Sequence, residues 1–149
     1  MADIASRNVA SQHSGRRQRA GSVELQVAAI LENLAVLRTL VAAIGTFEDL
    51  DLDAVADLRL AVDEACTRLI RSAVPDATLR LVVDPQAEAL VVRASTTCDS
   101  VDILPPGSFS WHVLRSLTDE LSTFSAGRTG SDGQQVGISM TTRRASSLR

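Results

Sequence analysis

The stretch that decides the fold is Asp57-Leu58-Arg59-Leu60-Ala61-Val62-Asp63-Glu64-Ala65-Cys66-Thr67-Arg68-Leu69-Ile70. Apolar or small residues recur at helical spacing within this stretch and on either side of it, at Val55, Leu58, Val62, Ala65, Cys66, Leu69 and Ala73. This spacing predicts one long amphipathic helix with a buried stripe. Glu64 and Arg68 lie one turn apart on another face, with the acid first, the favourable order for a helical ion pair. The spacing alone therefore predicts a core helix with a solvated Glu64–Arg68 salt bridge.

The length and composition are those of one ordinary soluble domain with tails. The chain has 149 residues, of which 45% are hydrophobic and 22% are charged, enough for a sizeable core. No apolar run is long enough to span a bilayer, and the N-terminus has no apolar signal region. We therefore expect a cytoplasmic protein that does not bind membranes.

The charges are distributed unevenly along the chain. Residues 1–21 hold four arginines against Asp3, and residues 143–149 hold three arginines and no acid. The segment 22–142 carries eight arginines against seventeen acids, a net charge of −9. A domain this acidic is unsuited to binding nucleic acid through its surface and is better suited to a basic protein partner. We predict a disordered basic tail over 1–21, a folded domain over 22–142 and a basic C-terminal tail over 143–149.

The hydrophobic pattern predicts helices around an antiparallel sheet. Predicted strands cover Ser22–Val27, Ala77–Val83, Ala89–Ala94, Leu121–Ala126 and Val136–Thr142. A first helix covers Ile30–Ile44 and is ended by Gly45, and a last one covers Phe109–Leu121. Asp51 or Asp53 caps the central helix, and Thr96–Ser108 is predicted to be an irregular loop. This order predicts an α/β protein built as a two-layer sandwich.

The segment Ala61-Val62-Asp63-Glu64-Ala65-Cys66-Thr67-Arg68 resembles the N-box of the RsbW/SpoIIAB anti-sigma factor kinases, members of the histidine-kinase-like ATPase superfamily. Their pattern there is Glu, three residues, then Asn. The order of elements is similar from about Val23 to Met140, and Asp119-Glu120-Leu121 matches the end of the family's lid and helix segment. The resemblance implies a Bergerat-type two-layer sandwich, with a mostly antiparallel sheet and three helices on one face.

The resemblance also identifies the positions of a nucleotide site. Glu64 stands where the family has its general base, and Arg68 stands where an Asn binds magnesium. A guanidinium has no acceptor atom and cannot ligate a cation. The Asp that reads adenine is replaced by Ala94, and the two glycines after it by Thr96 and Cys98. Losing that Asp alone weakens ATP affinity by about ten- to a hundredfold.

The lid positions are altered as well. Gly107 is retained, but Ser110 stands where the second glycine belongs, with bulky Phe109 and Trp111 beside it. A threonine of the last strand is replaced by Val136. The resemblance therefore implies a degenerate nucleotide site with no resident cofactor, and ATP with magnesium only if that site still binds.

The function that the resemblance implies is that of an anti-sigma factor. Such a protein binds and sequesters an alternative, SigF-like stress sigma factor and is released by an antagonist of the STAS type, and relatives are commonly homodimers. The first helix and the sheet surface take part in sigma binding, so Glu32 and Arg38 are candidate contacts, although each also fits an ordinary exposed helix charge. The acidic run Glu48–Asp53 fits either a solvated connector or a docking patch for a basic partner.

Two other functions remain open. The chain is an active serine/threonine kinase for the antagonist if Glu64 works in a rearranged site. It is a small-ligand or redox sensor if the emptied pocket between the central helix and the lid takes a ligand, or if Cys98, which is predicted to lie in a loop, is reactive. No metal site is expected, because His13 and His112 form no pair and Cys66 and Cys98 have no ligand spacing.

Overall fold

The computed structural model describes residues 21–128 and 133–145. Within these ranges the strands are β1 (Val23–Ala28), β2 (Thr78–Pro85), β3 (Ala89–Cys98), β4 (Glu120–Arg128) and β5 (Gln134–Arg143). The α-helices are α1 (Leu34–Phe47), α2 (Leu52–Ser72) and α3 (Phe109–Leu117), and a 3-10 turn (Leu31–Asn33) precedes α1. Residues 1–20 and 146–149, which make up most of the two predicted tails, lie outside the described ranges.

The five strands form one antiparallel sheet in the order β1-β2-β3-β5-β4. Alternate residues such as Leu81, Val92 and Ile138 are fully buried on the face that the helices cover. Arg80 and Arg93 point to the opposite face, which carries open grooves. The predicted two-layer α/β sandwich with three helices on one face is confirmed for the described part of the chain.

The central helix α2 is built as its sequence pattern predicts. The buried stripe contains Leu58, Ala61, Val62, Ala65, Cys66, Leu69 and Ile70. The Asp51 carboxylate caps the helix by accepting a hydrogen bond of 2.8 Å from the Ala54 backbone N–H. Because α2 packs against α1, α3 and the sheet, it places Glu64 and Arg68 between the other elements.

The first helix does not end at Gly45, so that prediction was wrong. Gly45 is buried inside α1, which continues to Phe47. A Cβ atom at Gly45 would lie 3.4 Å from Val55 and 3.5 Å from Leu50, which are ordinary contact distances, so this position packs against the turn and the start of α2 with room for a small side chain. The turn itself is made two residues after α1, where Asp49 has a φ of 64°.

Several other predicted boundaries also differ. Strand β3 continues to Cys98, four residues past its predicted end, because it stays paired with β5 along its whole length. Helix α3 ends at Leu117, and Leu121 lies in β4. Strand β5 extends to Arg143, inside the predicted C-terminal tail. No helix in the described ranges is both long and apolar enough to cross a membrane.

Candidate functional site

The carboxylate of Glu64 is bonded to the first turn of α3. The Ser110 hydroxyl donates a hydrogen bond of 2.5 Å to Glu64 Oε2, and Ser110 is only 9% exposed. The residue that replaces the expected lid glycine is therefore the residue that binds the proposed general base. A carboxylate in this bond has lost one acceptor site for a water molecule or a substrate hydroxyl.

Arg68 lies one turn further along α2 and contacts the loop before α3. Its Nη2 donates a long hydrogen bond of 3.4 Å to the Ile103 carbonyl, while its Nε is buried with no partner among the described residues. No ion pair joins Arg68 to Glu64 within this part of the chain, so the predicted salt bridge is wrong. Both side chains bond to the lid segment instead of to each other.

The loop between β3 and α3 is packed into the core. Ile103 is 2% exposed and Leu104 is 5% exposed, and both belong to the same hydrophobic cluster as the buried stripe of α2. This burial was missed in the sequence, where the segment was interpreted as an irregular loop. The signal was the adjacent apolar pair Ile103-Leu104 within a polar segment.

The start of α3 is formed by Gly107 and Ser108. Gly107 has a φ of +87°, a backbone conformation that favours glycine, and the Ser108 hydroxyl caps the helix by accepting a bond of 3.3 Å from the Trp111 N–H. Phe109 is 81% exposed and is therefore not part of the core. Trp111 is half-buried against the core.

The segment predicted to correspond to the family's adenine-reading motif is part of strand β3. Ala94, Thr96 and Cys98 are all completely buried on the helix-covered face of β3. The Thr96 hydroxyl donates a hydrogen bond of 2.9 Å to the Thr78 carbonyl, and Val136 is the residue opposite Thr96 on β5. These positions therefore present no free polar side chain to a ligand.

Cys98 is neither in a loop nor accessible, which corrects the basis of the redox hypothesis. It ends β3, pairs with Ala73 and is fully buried. Burial, assisted by the negative charge of Asp99, raises the pKa of the Cys98 thiol to about 11. Cys66 on α2 is also buried, and its pKa is raised to about 12 by burial and by Asp63. Both thiols are therefore protonated and unreactive at neutral pH.

The two candidate partner contacts lie near the start of the first helix. Glu32 is exposed in the 3-10 turn, whereas Arg38 forms an ion pair of 2.5 Å with Asp63 on α2. The Arg38 side chain remains 39% exposed, so it links the two helices and is still accessible. Ile30, Leu31 and Val36 around these charges are between 44% and 50% exposed.

The residues brought together do not fit a magnesium nucleotide. Arg68 offers no cation ligand, Ala94 offers no adenine acceptor, and Glu64 is bonded to Ser110. Among the described residues, no group of three or more His, Cys, Asp or Glu side chains is placed to hold a metal. The structure therefore brings Glu64 and Ser110 together and bonds Arg68 to the loop before α3, while Ala94 and Cys98 are buried in the sheet.

Comparison with known proteins agrees with this architecture. Residues 27–140 match the histidine kinase-like ATPase domain family. Two relatives named anti-sigma-F factor RsbW, from Mycobacterium tuberculosis strains CDC 1551 / Oshkosh and ATCC 25618 / H37Rv, are each 65% identical over 136 residues. The match covers 91% of this chain and 81% of each relative. The chain therefore belongs to the histidine kinase-like ATPase domain family.

Proposed function

We propose that this protein is an anti-sigma factor that binds and sequesters an alternative, SigF-like sigma factor without using nucleotide. The relatives that are 65% identical to it over 136 residues carry the name anti-sigma-F factor, which supports the choice of partner. The observation that supports independence from nucleotide is the Ser110–Glu64 hydrogen bond, which occupies the carboxylate that a kinase reaction needs.

The start of α1 is the proposed contact surface for the sigma factor. Glu32 and Arg38 supply charges of both signs, and the exposed apolar residues Leu31 and Val36 lie beside them. Interfaces commonly combine an apolar centre with a polar rim, and this surface offers both. An antagonist of the STAS type is proposed to release the sigma factor by competing for the anti-sigma factor.

The proposal includes a homodimer. The proposed interface is the uncovered face of the sheet, where two grooves of about 570 Å³ each share Arg93 and Ser139. Sedimentation equilibrium is expected to give the mass of two chains. A single-chain mass at all concentrations would contradict the dimer and leave sigma binding to be judged separately.

The test of the main proposal is a tagged pull-down from the host's lysate, with and without MgATP, read by mass spectrometry. A sigma factor recovered equally in both samples is the expected result. Titration of that purified sigma factor by calorimetry then compares Val36→Gln with Val101→Gln, since these valines are 50% and 49% exposed. Only the Val36 variant is expected to bind more weakly.

Two results would overturn the proposal. Absence of any sigma factor from both samples would exclude sequestration. Transfer of phosphate from ATP to a STAS antagonist, abolished by Glu64→Ala, would establish the alternative function, a serine/threonine kinase. The contacts of Glu64 and Arg68 do not favour that alternative, because Glu64 is bonded to Ser110 and Arg68 to the Ile103 carbonyl.

A further inference from the structure

A second exposed surface lies at the opposite end of the helical hairpin. Phe47, the last residue of α1, is 82% exposed, and Leu52, the first residue of α2, is 87% exposed. Leu60 is 58% exposed two turns later. Leu52, Ala56 and Leu60 are spaced by four residues, so they follow one another along the same side of α2. Exposed apolar side chains that lie together, unlike single ones, mark interaction sites.

Carboxylates border this apolar stripe. Asp53 and Asp57 are exposed beside it on α2, and Asp49 is exposed in the turn. We call this surface the α1–α2 corner and define it by its apolar and acidic residues, which are Phe47, Leu52, Ala56, Leu60, Asp49, Asp53 and Asp57. Arg59, three residues after Ala56, is also exposed on this side of α2, so the rim combines three carboxylates with one guanidinium and is net negative.

The corner is a preformed structure. Leu50, in the middle of the turn, is only 7% exposed and anchors it to the core. Its backbone N–H donates a hydrogen bond of 3.0 Å to the Gly45 carbonyl, and Asp51 caps α2. Because the turn is anchored on both sides, a partner would not have to order it on binding, which lowers the entropic cost.

An arginine from a distant part of the chain already docks beside this corner. Arg144, which follows β5, lies 2.9 Å from the Glu48 carboxylate and also donates to the Glu48 carbonyl. The two side chains are only 17% and 21% exposed, so the pair is mostly shielded from water. The turn therefore accepts a guanidinium in a partly buried position, the group that a basic partner would supply.

Charge complementarity decides between the possible occupants. A second copy related by two-fold symmetry would place the acidic rims of two corners against each other, which is repulsive. A segment with arginines or lysines around one or two large apolar side chains would neutralise the rim and cover the stripe. We propose that the α1–α2 corner is a docking surface for a basic, amphipathic segment of a protein partner. This surface is separate from the Glu64–Ser110 contact and from the sigma contacts proposed on the start of α1.

The test uses the full chain and a dye-labelled amphipathic peptide with arginines on one face and leucines on the other, with binding read by fluorescence anisotropy. Leu52→Gln with Leu60→Gln, and separately Asp53→Asn with Asp57→Asn, are each expected to weaken binding about tenfold. The matched controls are Phe109→Gln, which is 81% exposed elsewhere, and Asp99→Asn with Asp102→Asn. These are expected to stay within about twofold of the original affinity.

Three results would overturn the proposal. Equal losses in the corner and control variants would show that the peptide binds without preference for this surface. Equal binding of a second peptide in which serine replaces leucine would show charge attraction alone. A rise in peptide affinity when Arg16, Arg17 and Arg19 are replaced by glutamine would assign the corner to the chain's own N-terminal segment. Circular dichroism checks that each variant is folded, which is expected for the corner and control variants because their substituted side chains are exposed.

Discussion

The hydroxyl of Ser110 lies 2.5 Å from Oε2 of Glu64, although the two residues are 46 positions apart. The bond joins the first turn of α3 to the middle of α2. This contact is therefore part of the protein's internal packing and should contribute to stability.

Replacement of Ser110 by alanine tests this contribution. The change leaves a partly buried carboxylate without its donor, so we expect the free energy of unfolding to fall by about 1.5–3 kcal/mol. Ser116→Ala is the matched control, because Ser116 lies on the same helix but is exposed and bonds only to the Val113 carbonyl. Urea unfolding curves of the two variants should differ clearly. Equal midpoints would show that the Ser110–Glu64 bond adds no stability.

Arg68 is expected to behave in the opposite way. It makes one long bond and keeps a buried, unpartnered Nε, and an unsatisfied buried donor costs about 1–3 kcal/mol. Methionine is similar in length and has no donor, so Arg68→Met should unfold at the same or a higher temperature than the original protein. Arg38→Met, which breaks the half-exposed pair with Asp63, should lose up to about 1 kcal/mol. A larger loss at Arg68 than at Arg38 would contradict this assignment.

The two buried thiols predict a loss of stability in alkali. The pKa is raised from 9.0 to about 12 at Cys66 and to about 11 at Cys98. Above pH 9 the unfolded chain therefore releases protons that the folded chain retains, so stability falls as pH rises through this window. Each thiol contributes a slope of up to about 1.4 kcal/mol per pH unit.

The composition makes that measurement clean. The chain has no lysine and no tyrosine, the other side chains that ordinarily lose a proton near pH 10. The change in stability above pH 9 can therefore be assigned to the two cysteines. Urea unfolding at a series of pH values should show the fall in the original protein and a nearly flat profile when Cys66 and Cys98 are both alanine. An equally steep fall in that double variant would exclude the thiols as the cause.

The uncovered sheet face provides a test of packing between neighbouring strands. The Phe124 ring on β4 lies across Gly137 of β5, where an added Cβ would overlap it. Gly137→Ala should therefore destabilise the protein by about 1–3 kcal/mol, the usual cost of overpacking. The same change should cost much less when Phe124 is already alanine. A double-mutant cycle measures this coupling, and strict additivity would show that the ring does not occupy the space above Gly137.

A large part of the fold could be predicted from short-range patterns in the sequence. The three- and four-residue spacing around Leu58 and Leu69 correctly indicated the central helix, and Asp51 was correctly identified as a possible cap. Alternation around Leu25, Leu81 and Ile138 indicated strands. These signals are reliable because they depend on helical and strand periodicity, which neighbouring residues determine among themselves.

The errors arose where distant contacts decide the outcome. Gly45 is a helix terminator by local preference, yet α1 continues because Val55 and Leu50 pack against it. Cys98 follows the predicted end of a strand, yet pairing with β5 extends that strand and buries the thiol. In both cases tertiary packing is worth more than the local preference.

The sequence by itself determined the class of fold, and through the family resemblance it predicted that Arg68 and Ser110 stand at altered positions of a nucleotide site, a prediction that follows from residue identity. Only the tertiary structure decided that Ser110 bonds to Glu64, that Arg68 reaches the Ile103 carbonyl and that Leu52 remains in solvent. The physical reason is that hydrogen-bond partners and exposure depend on how distant segments pack, which no local pattern encodes.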